Sequence, residues 1–109
     1  MADFSKSKIV KLVSGSKYQR LFSKDSGTCG IKAGHVILEK KEEIGEHSTN
    51  DMEEALVILK GRGQLIINKE DYLDFEDNTV LYVPPQTIHN VKNTGAGTLE
   101  YIFITSNAK

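Results

Sequence analysis

The chain has 109 residues, which suits one small domain with a modest core and leaves no room for a second. Lys and Arg number 14 against 15 Asp and Glu, and this near-neutral balance, without a basic run, argues against a nucleic-acid partner. No apolar stretch approaches the roughly 18 residues of a membrane span, and a lone cysteine, Cys29, rules out an internal disulfide and fits a reducing cytoplasm.

Residues 1–8 are polar and lack the apolar segment of a secretion signal, so we expect no secretion. As a polar chain terminus they are also expected to be loosely ordered. After them come short runs rich in Val, Ile, Leu, Tyr and Phe, broken by turn-forming residues about every 8–12 positions, a pattern typical of an all-β sandwich or barrel. Asn78 falls at a tight bend where a left-handed conformation is expected. The predicted strands are 9–13, 18–22, 30–39, 54–59, 64–67, 71–75, 79–83, 89–92 and 99–105.

Residues 54–60 and 99–105 carry apolar side chains at both odd and even positions. Because successive side chains of a strand point to opposite faces, both strands must be covered on both sides. One face would fill the barrel, and the other would meet a second sheet layer, the N-terminal strand or another subunit. We predict a homodimer, since a monomer rarely leaves such a patch in water.

Three residues have the chemistry of a metal site. His47 follows a turn containing Gly45, His89 follows Pro84 and Pro85, and Glu54 begins a strand predicted to be buried. A carboxylate there is costly unless its charge is compensated, and a divalent ion is the simplest compensation. Two imidazoles and one carboxylate are known to hold Fe(II), and they also suit Zn, Mn or Ni while leaving positions open for water or substrate.

The spacing of these residues resembles the two short motifs of the cupin family. The first motif, Gly-x5-His-x-His followed by Glu-x6-Gly, matches HSTNDMEEALVILKG and aligns His47, Glu54 and Gly61. The second matches NTVLYVPPQTIHNVKN and aligns Pro84, His89 and Asn93. The resemblance extends over nearly the whole chain and implies a double-stranded β-helix, or jelly-roll barrel, with His47, Glu54 and His89 as the metal ligands.

The chain departs from these motifs at four positions. Thr49 stands where the second histidine would be, and the loss of this imidazole weakens metal affinity or leaves an additional open position. Lys41, Asn78 and Gln86 replace motif glycines, and we interpret them as turn variants. Some cupins have lost the metal altogether, so the alternative is a metal-free pocket in which the two histidines hydrogen-bond Glu54.

The resemblance also implies a cavity for a small polar molecule such as a sugar or an organic acid. We predict four contacts to that molecule, from Thr49, Gln64, His35 and Tyr101, although a hydrogen-bonded sheet position for His35 and core packing for Tyr101 are alternatives. Small cupins include metal-dependent isomerases, epimerases and dioxygenases as well as non-enzymatic binding modules. The resemblance therefore implies a cupin that binds a divalent metal and a small polar ligand, either as an enzyme, for example a sugar-modifying one, or as a metal-assisted binder. The alternative is a metal-free barrel that binds a carbohydrate or another small molecule without catalysis.

Overall fold

The computed structural model describes residues 6–109. The predicted loose start at residues 1–8 falls partly outside this range, and residues 6–8 belong to no strand and are exposed. The strands in chain order are β1 (Tyr18–Phe22), β2 (Lys32–Leu38), β3 (His47–Ser48), β4 (Met52–Lys60), β5 (Gly63–Ile67), β6 (Asp71–Phe75), β7 (Thr79–Val83), β8 (Ile88–Asn93) and β9 (Leu99–Asn107), and a 3₁₀ turn spans Lys24–Ser26. No helix in the described part of the chain is long and apolar enough to cross a membrane.

The strands form two antiparallel sheets. One sheet has the order β1-β2-β9-β4-β7, and the other has the order β3-β8-β5-β6. Every second side chain of the central strands points between the sheets, which gives strand β4 its alternation of buried and half-buried residues. The buried apolar core consists of Val36, Leu38, Leu56, Ile58, Leu65, Phe75, Val83, Val91, Leu99 and Tyr101. The predicted all-β architecture is confirmed.

The predicted strand at 9–13 is wrong, although its apolar residues are β-forming. Ile9 is 98% exposed, and the segment has no ladder partner. It is tied down by one side chain instead: the Gln19 amide donates to the Lys11 carbonyl (3.0 Å), and its oxygen accepts from the Val13 N–H (2.8 Å). Because the Gln19 side chain bonds one N–H and one carbonyl of the segment, these two groups need no partner on a neighbouring strand.

Asn93, the last residue of the second motif, joins three parts of the chain. Its side chain is 2% exposed, and its amide lies within 3.1 Å of the carbonyl oxygens of Leu38, Glu39 and Gly97. Its own oxygen accepts from the Gly95 N–H. Carbonyls at the end of β2 and in the β8–β9 turn are thereby satisfied, so Asn93 links these segments and does not line the cavity described below.

The three residues that replace motif glycines keep the glycine backbone. Lys41, Asn78 and Gln86 have φ angles of 70°, 60° and 53°, respectively, all in the left-handed region. This confirms the left-handed bend predicted at Asn78. Asn tolerates the conformation best, whereas Lys and Gln pay a steric cost for their Cβ atoms. The turns of the barrel are therefore retained without glycine, the residue that adopts a left-handed conformation at the lowest steric cost.

Replacing Lys41 by glycine is expected to stabilise the fold. The side chain is exposed, so the Lys41→Gly change removes the steric cost of φ 70° and loses no packing. We expect the free energy of unfolding to rise by about 0.5–1 kcal/mol, measured by urea denaturation. Lys41→Ala, which keeps a Cβ, is the control and should give no such gain. Equal stabilisation by both variants would attribute the effect to the lost charge and would contradict the backbone explanation.

Candidate metal centre

The two sequence-predicted histidine ligands are direct cross-strand partners. His47 on β3 lies opposite His89 on β8, and the ring centroids are 4.2 Å apart with planes inclined at 58°. The turn before β3 sets this register, because Gly45 adopts φ 104° and donates its N–H to the Asn90 side chain (2.9 Å). The backbone of one sheet thus brings both rings to the same end of the barrel.

Glu54 reaches the same point from the opposite sheet. It lies on β4 between Val83 of β7 and Thr105 of β9, and it is 7% exposed. Its Oε1 is 2.9 Å from Nε2 of His89, which is 1% exposed. One potential ligand atom from each of His47, Glu54 and His89 lies within 4.8 Å of the other two. The cluster is thus compact enough for one ion to contact all three donors.

Backbone carbonyls orient both imidazoles. Nδ1 of His47 is 2.9 Å from the Gly45 oxygen, and Nδ1 of His89 is 3.2 Å from the Thr87 oxygen. An Nδ1–H that donates to a carbonyl leaves the Nε2 lone pair free, and metal-binding histidines are commonly held in this way. Two nitrogen donors and one carboxylate oxygen also form a set suited to divalent transition metals. On its geometry and its donor chemistry the cluster fits such an ion.

Burial and the Glu54 carboxylate together shift the pKa values of the neighbouring groups. Burial acts to lower the pKa of His89, but the hydrogen bond to Glu54, helped by the Thr87 carbonyl, outweighs burial and raises that pKa overall. Burial and the nearby Glu54 charge both raise the pKa of Tyr101, so its phenol stays protonated. A protonated His89 would compensate the charge of the buried carboxylate, and a bound metal would take the place of that proton.

The cluster opens into a cavity of about 500 Å³ between the sheets. Its walls are mainly apolar, and the polar groups gather at the end that carries His47. The lining residues are Tyr18, Lys32, Val36, Ile44, His47, Ser48, Thr49, Asn50, Met52, Glu54, Leu56, His89, Val91, Tyr101, Phe103 and Thr105. An apolar chamber with a few convergent polar groups is the usual form of a small-molecule site.

Of the four predicted ligand contacts, the structure places two in this cavity and two elsewhere. Thr49 and Tyr101 line it. His35 points to the outer face of its sheet, where Nε2 lies 2.7 Å from the Glu100 carboxylate. Gln64 faces outward on β5 and donates to Asp74. The expectation that His35 and Gln64 face the cavity does not hold, because each occupies the strand position whose parity directs the side chain outward.

The hydroxyl of Thr49 already has hydrogen-bond partners. It donates to the Pro84 carbonyl (2.7 Å) and accepts from the Thr87 N–H (3.1 Å), and the residue is buried. Thr49 thereby joins the loop after β3 to the turn between β7 and β8. The position that carries an imidazole in the full cupin motif contributes a structural link in this chain.

Lys32, Ser48, Asn50 and Met52 are among the lining residues that sequence reasoning did not identify. Lys32 and Met52 are the first residues of β2 and β4, whose starts were predicted two residues away. Ser48 belongs to the two-residue strand β3, which is too short to produce a periodic pattern. With the register of β2, β9 and β4 known, the alternation of side chains along each strand would have placed Lys32 and Met52 on the face that lines the cavity.

Two antiparallel sheets around a cavity with two histidines and a carboxylate define a jelly-roll barrel with a candidate metal centre. A family model described as a cupin domain matches residues 34–105, well over half of the chain. The chain belongs to the cupin family.

Several known proteins are similar to this chain. A glucose-6-phosphate isomerase of Pyrococcus abyssi is 38% identical over 53 residues, a match that covers 45% of this chain and 28% of the isomerase. A structure described as an RmlC-like cupin with a double-stranded β-helix fold, from Methanocaldococcus jannaschii, has 18% identity and a TM-score of 0.79, covering 94% of this chain and 92% of that one. A predicted oxalate decarboxylase of Thermotoga maritima has 18% identity and a TM-score of 0.69, covering 91% and 99%. The structural matches establish the double-stranded β-helix.

Removing the hydroxyl of Thr49 is expected to destabilise the barrel without altering the candidate metal cluster. Thr49→Val keeps the shape but leaves the Pro84 carbonyl and the Thr87 N–H unpaired. We expect a loss of about 1–3 kcal/mol in the free energy of unfolding, measured by denaturant titration. Thr49→Ser retains the hydroxyl and serves as the control with a smaller loss. A Val variant as stable as the wild type would contradict the structural role.

Proposed function

We propose that this cupin binds a divalent transition metal, such as Fe, Mn, Ni or Zn, through His47, Glu54 and His89, together with a small polar molecule in the adjoining cavity. The observation that supports the proposal is the convergence of three donor groups from two sheets within 4.8 Å of one another. Elsewhere in the described chain the third histidine, His35, pairs with a single carboxylate. Three donors leave coordination positions for the molecule in the cavity.

A bound ion would polarise a carbonyl or hydroxyl group of that molecule. The residues of the chain would orient the molecule and exclude water. Val36, Leu56 and Phe103 supply the apolar walls, and the protonated phenol of Tyr101 is available as a neutral hydrogen-bond donor. Thr49 would bind less strongly than a free hydroxyl, because its proton is already donated to Pro84. This arrangement supports chemistry at one polarised oxygen of a small substrate.

The similar proteins favour two substrate classes. The Pyrococcus abyssi relative is a glucose-6-phosphate isomerase, and the Thermotoga maritima structure is a predicted oxalate decarboxylase. Sugars and small organic acids are therefore the substrates that we propose to test first, with isomerisation or another metal-dependent modification as the reaction. The fold itself hosts many activities and does not select among them.

The first test compares two histidine variants for metal uptake. His89→Gln removes one proposed ligand, and we expect metal affinity to fall by about 100-fold or more, measured by elemental analysis and by titration with Zn²⁺ or Mn²⁺. His35→Gln is the matched control, since His35 lies outside the cavity and glutamine can still hydrogen-bond Glu100. Equal metal uptake by the wild type and His89→Gln would contradict the proposed ligand set. Uptake by the wild type should also weaken as the pH falls, because a protonated His89 cannot bind the ion.

A metal-free binding barrel is the second candidate function, and one contact favours it. His89 and Glu54 already form a direct pair at 2.9 Å, which satisfies the buried carboxylate without an ion. In that case the same residues would hydrogen-bond a carbohydrate, with no catalysis. Wild-type protein that takes up no transition metal on titration, yet binds a neutral sugar in a His89-dependent manner, would support this candidate over the first.

We also propose that the chain forms a homodimer through the outer face of the five-stranded sheet. Near β1 this face is partly covered by the N-terminal segment, where Val10 and Leu12 share an apolar groove with Ile102 and Ile104. Toward β7 the face is open, with Val80 and Tyr82 exposed by 67% and 59%. A second copy would remove the exposed apolar surface from water.

The dimer is tested by measuring the mass of the particle in solution. We expect light scattering at micromolar concentration to give twice the 12.1 kDa of the chain, and we expect Val80→Lys to shift the particle toward the monomer because it places a charge on the proposed contact. Lys24→Glu, on the 3₁₀ turn away from β7, is the control. A wild-type particle of monomer mass would refute the proposal.

We also propose a cytoplasmic location, which the state of the cysteine supports. Cys29 is exposed and free. An exposed thiol persists in a reducing compartment, whereas an oxidising one promotes its pairing.

A further inference from the structure

The cavity contains a cation that the candidate metal centre does not use. Lys32 is the first residue of β2, and it lines the cavity together with Val36, which follows four positions later on the same face of the strand. Its side chain is exposed at the cavity mouth and forms no ion pair within the described residues, whereas Lys17, Lys69 and Lys109 all do. The ammonium group of Lys32 is therefore free to bind a ligand.

The register of the sheet places Lys32 in line with the candidate metal centre. Lys32 is the cross-strand partner of Thr105, and Thr105 is in turn the partner of Glu54. Residues in one such row project to the same face, and neighbouring strands are about 4.8 Å apart, so the backbones at Lys32 and Glu54 are separated by about 10 Å. A single small molecule can reach from one residue to the other.

The next row of the same sheet separates this polar row from the core. Gly34, Phe103 and Leu56 form that row. A Cβ on Gly34 would lie 2.5 Å from the Phe103 ring, so the missing side chain makes room for the ring beside Lys32. Phe103 also stacks on Tyr18, with centroids 6.3 Å apart. An aromatic wall therefore lies alongside the path from Lys32 to Glu54.

The charges in the cavity favour an anion. Among the described lining residues Glu54 is the only acidic one, and the positive charge of Lys32 is enough to offset it even when His47 and His89 are neutral. A divalent ion would leave the cavity with excess positive charge. The mainly apolar walls strengthen electrostatic interactions relative to water, so a ligand with a carboxylate or phosphate group would be preferred over a neutral one of the same shape.

We propose that Lys32 is a specificity-determining residue that binds the anionic group, carboxylate or phosphate, of a small molecule whose other polar end meets His47, Glu54 and His89. The proposal rests on the proposed function and narrows its substrate class from polar molecules in general to small acids. The molecule would span about one to two strand spacings, or roughly 5–10 Å. Its central part would lie along Phe103.

The test measures binding of defined probes by calorimetry and NMR titration, with metal-free protein and with protein loaded with Zn²⁺. The probes are succinate for carboxylates, glucose 6-phosphate and inorganic phosphate for phosphates, and glucose as the neutral reference. We expect Lys32→Gln to weaken binding of the preferred anion by at least about tenfold, because a charge-assisted hydrogen bond is lost, and to leave any glucose binding unchanged. Lys32→Arg should retain most of the affinity for the anion.

A matched variant separates a specific contact from a general charge effect. Lys60→Gln removes the same charge at the end of β4, outside this cavity, and should not alter binding of the anion. Equal weakening by Lys60→Gln and Lys32→Gln, unchanged binding in Lys32→Gln, or no binding of any anion by the wild type would each overturn the proposal. Stronger binding of succinate than of both phosphate probes assigns a carboxylate group to the ligand, and the reverse order assigns a phosphate group.

The metal content of the same samples distinguishes failure of this proposal from failure of the proposed function. Lys32→Gln should load Zn²⁺ as the wild type does, because Lys32 is not among the proposed ligands. Normal metal loading with binding that does not depend on Lys32 would overturn only the role of Lys32. Lys32-dependent binding by a protein that takes up no metal would overturn only the metal function.

Discussion

The burial of the Glu54 carboxylate is the constraint on which the rest of the site depends. A carboxylate with 7% exposure, set among apolar neighbours, needs a positive partner close by. When protonated, His89 supplies one from the opposite sheet at 2.9 Å, and the carbonyls behind the two histidines turn their Nε2 atoms toward the cavity. A proton on His89 or an ion in its place would each compensate the carboxylate, so the same geometry is compatible with a metal-free and a metal-bound form.

Several motif residues are replaced in this chain, but the backbone geometry that positions His89 and Glu54 is retained. Lys41 and Gln86 adopt the left-handed backbone that glycine would provide, so the turns that position the strands are retained at some cost in strain. Thr49 links the loop after β3 to the turn that precedes His89, where a cupin with the full motif would place an imidazole. Position 49 therefore offers no imidazole donor in this chain, and its hydroxyl instead stabilises the segments next to His47 and His89.

The sequence predicted the architecture well because strand periodicity and turn chemistry are local signals. The predicted strands 18–22, 71–75 and 79–83 coincide with β1, β6 and β7, and the motif spacing brought together the three residues of the candidate centre. What it missed depended on pairing between distant segments. Gln19 replaces a sheet partner for residues 9–13, and the outward positions of His35 and Gln64, like the inward position of Lys32, follow from register that no single segment encodes.

One candidate ligand lies on a much weaker element than the other two. β3 consists of two residues at the edge of its sheet and is paired only with β8, whereas Glu54 and His89 lie on strands with neighbours on both sides. Edge segments with few backbone bonds open locally at far smaller free-energy cost than central strands. Transient detachment of His47 would uncover the end of the barrel while the opposing carboxylate and imidazole stay fixed, so exchange of an ion with solvent requires no separation of the two sheets.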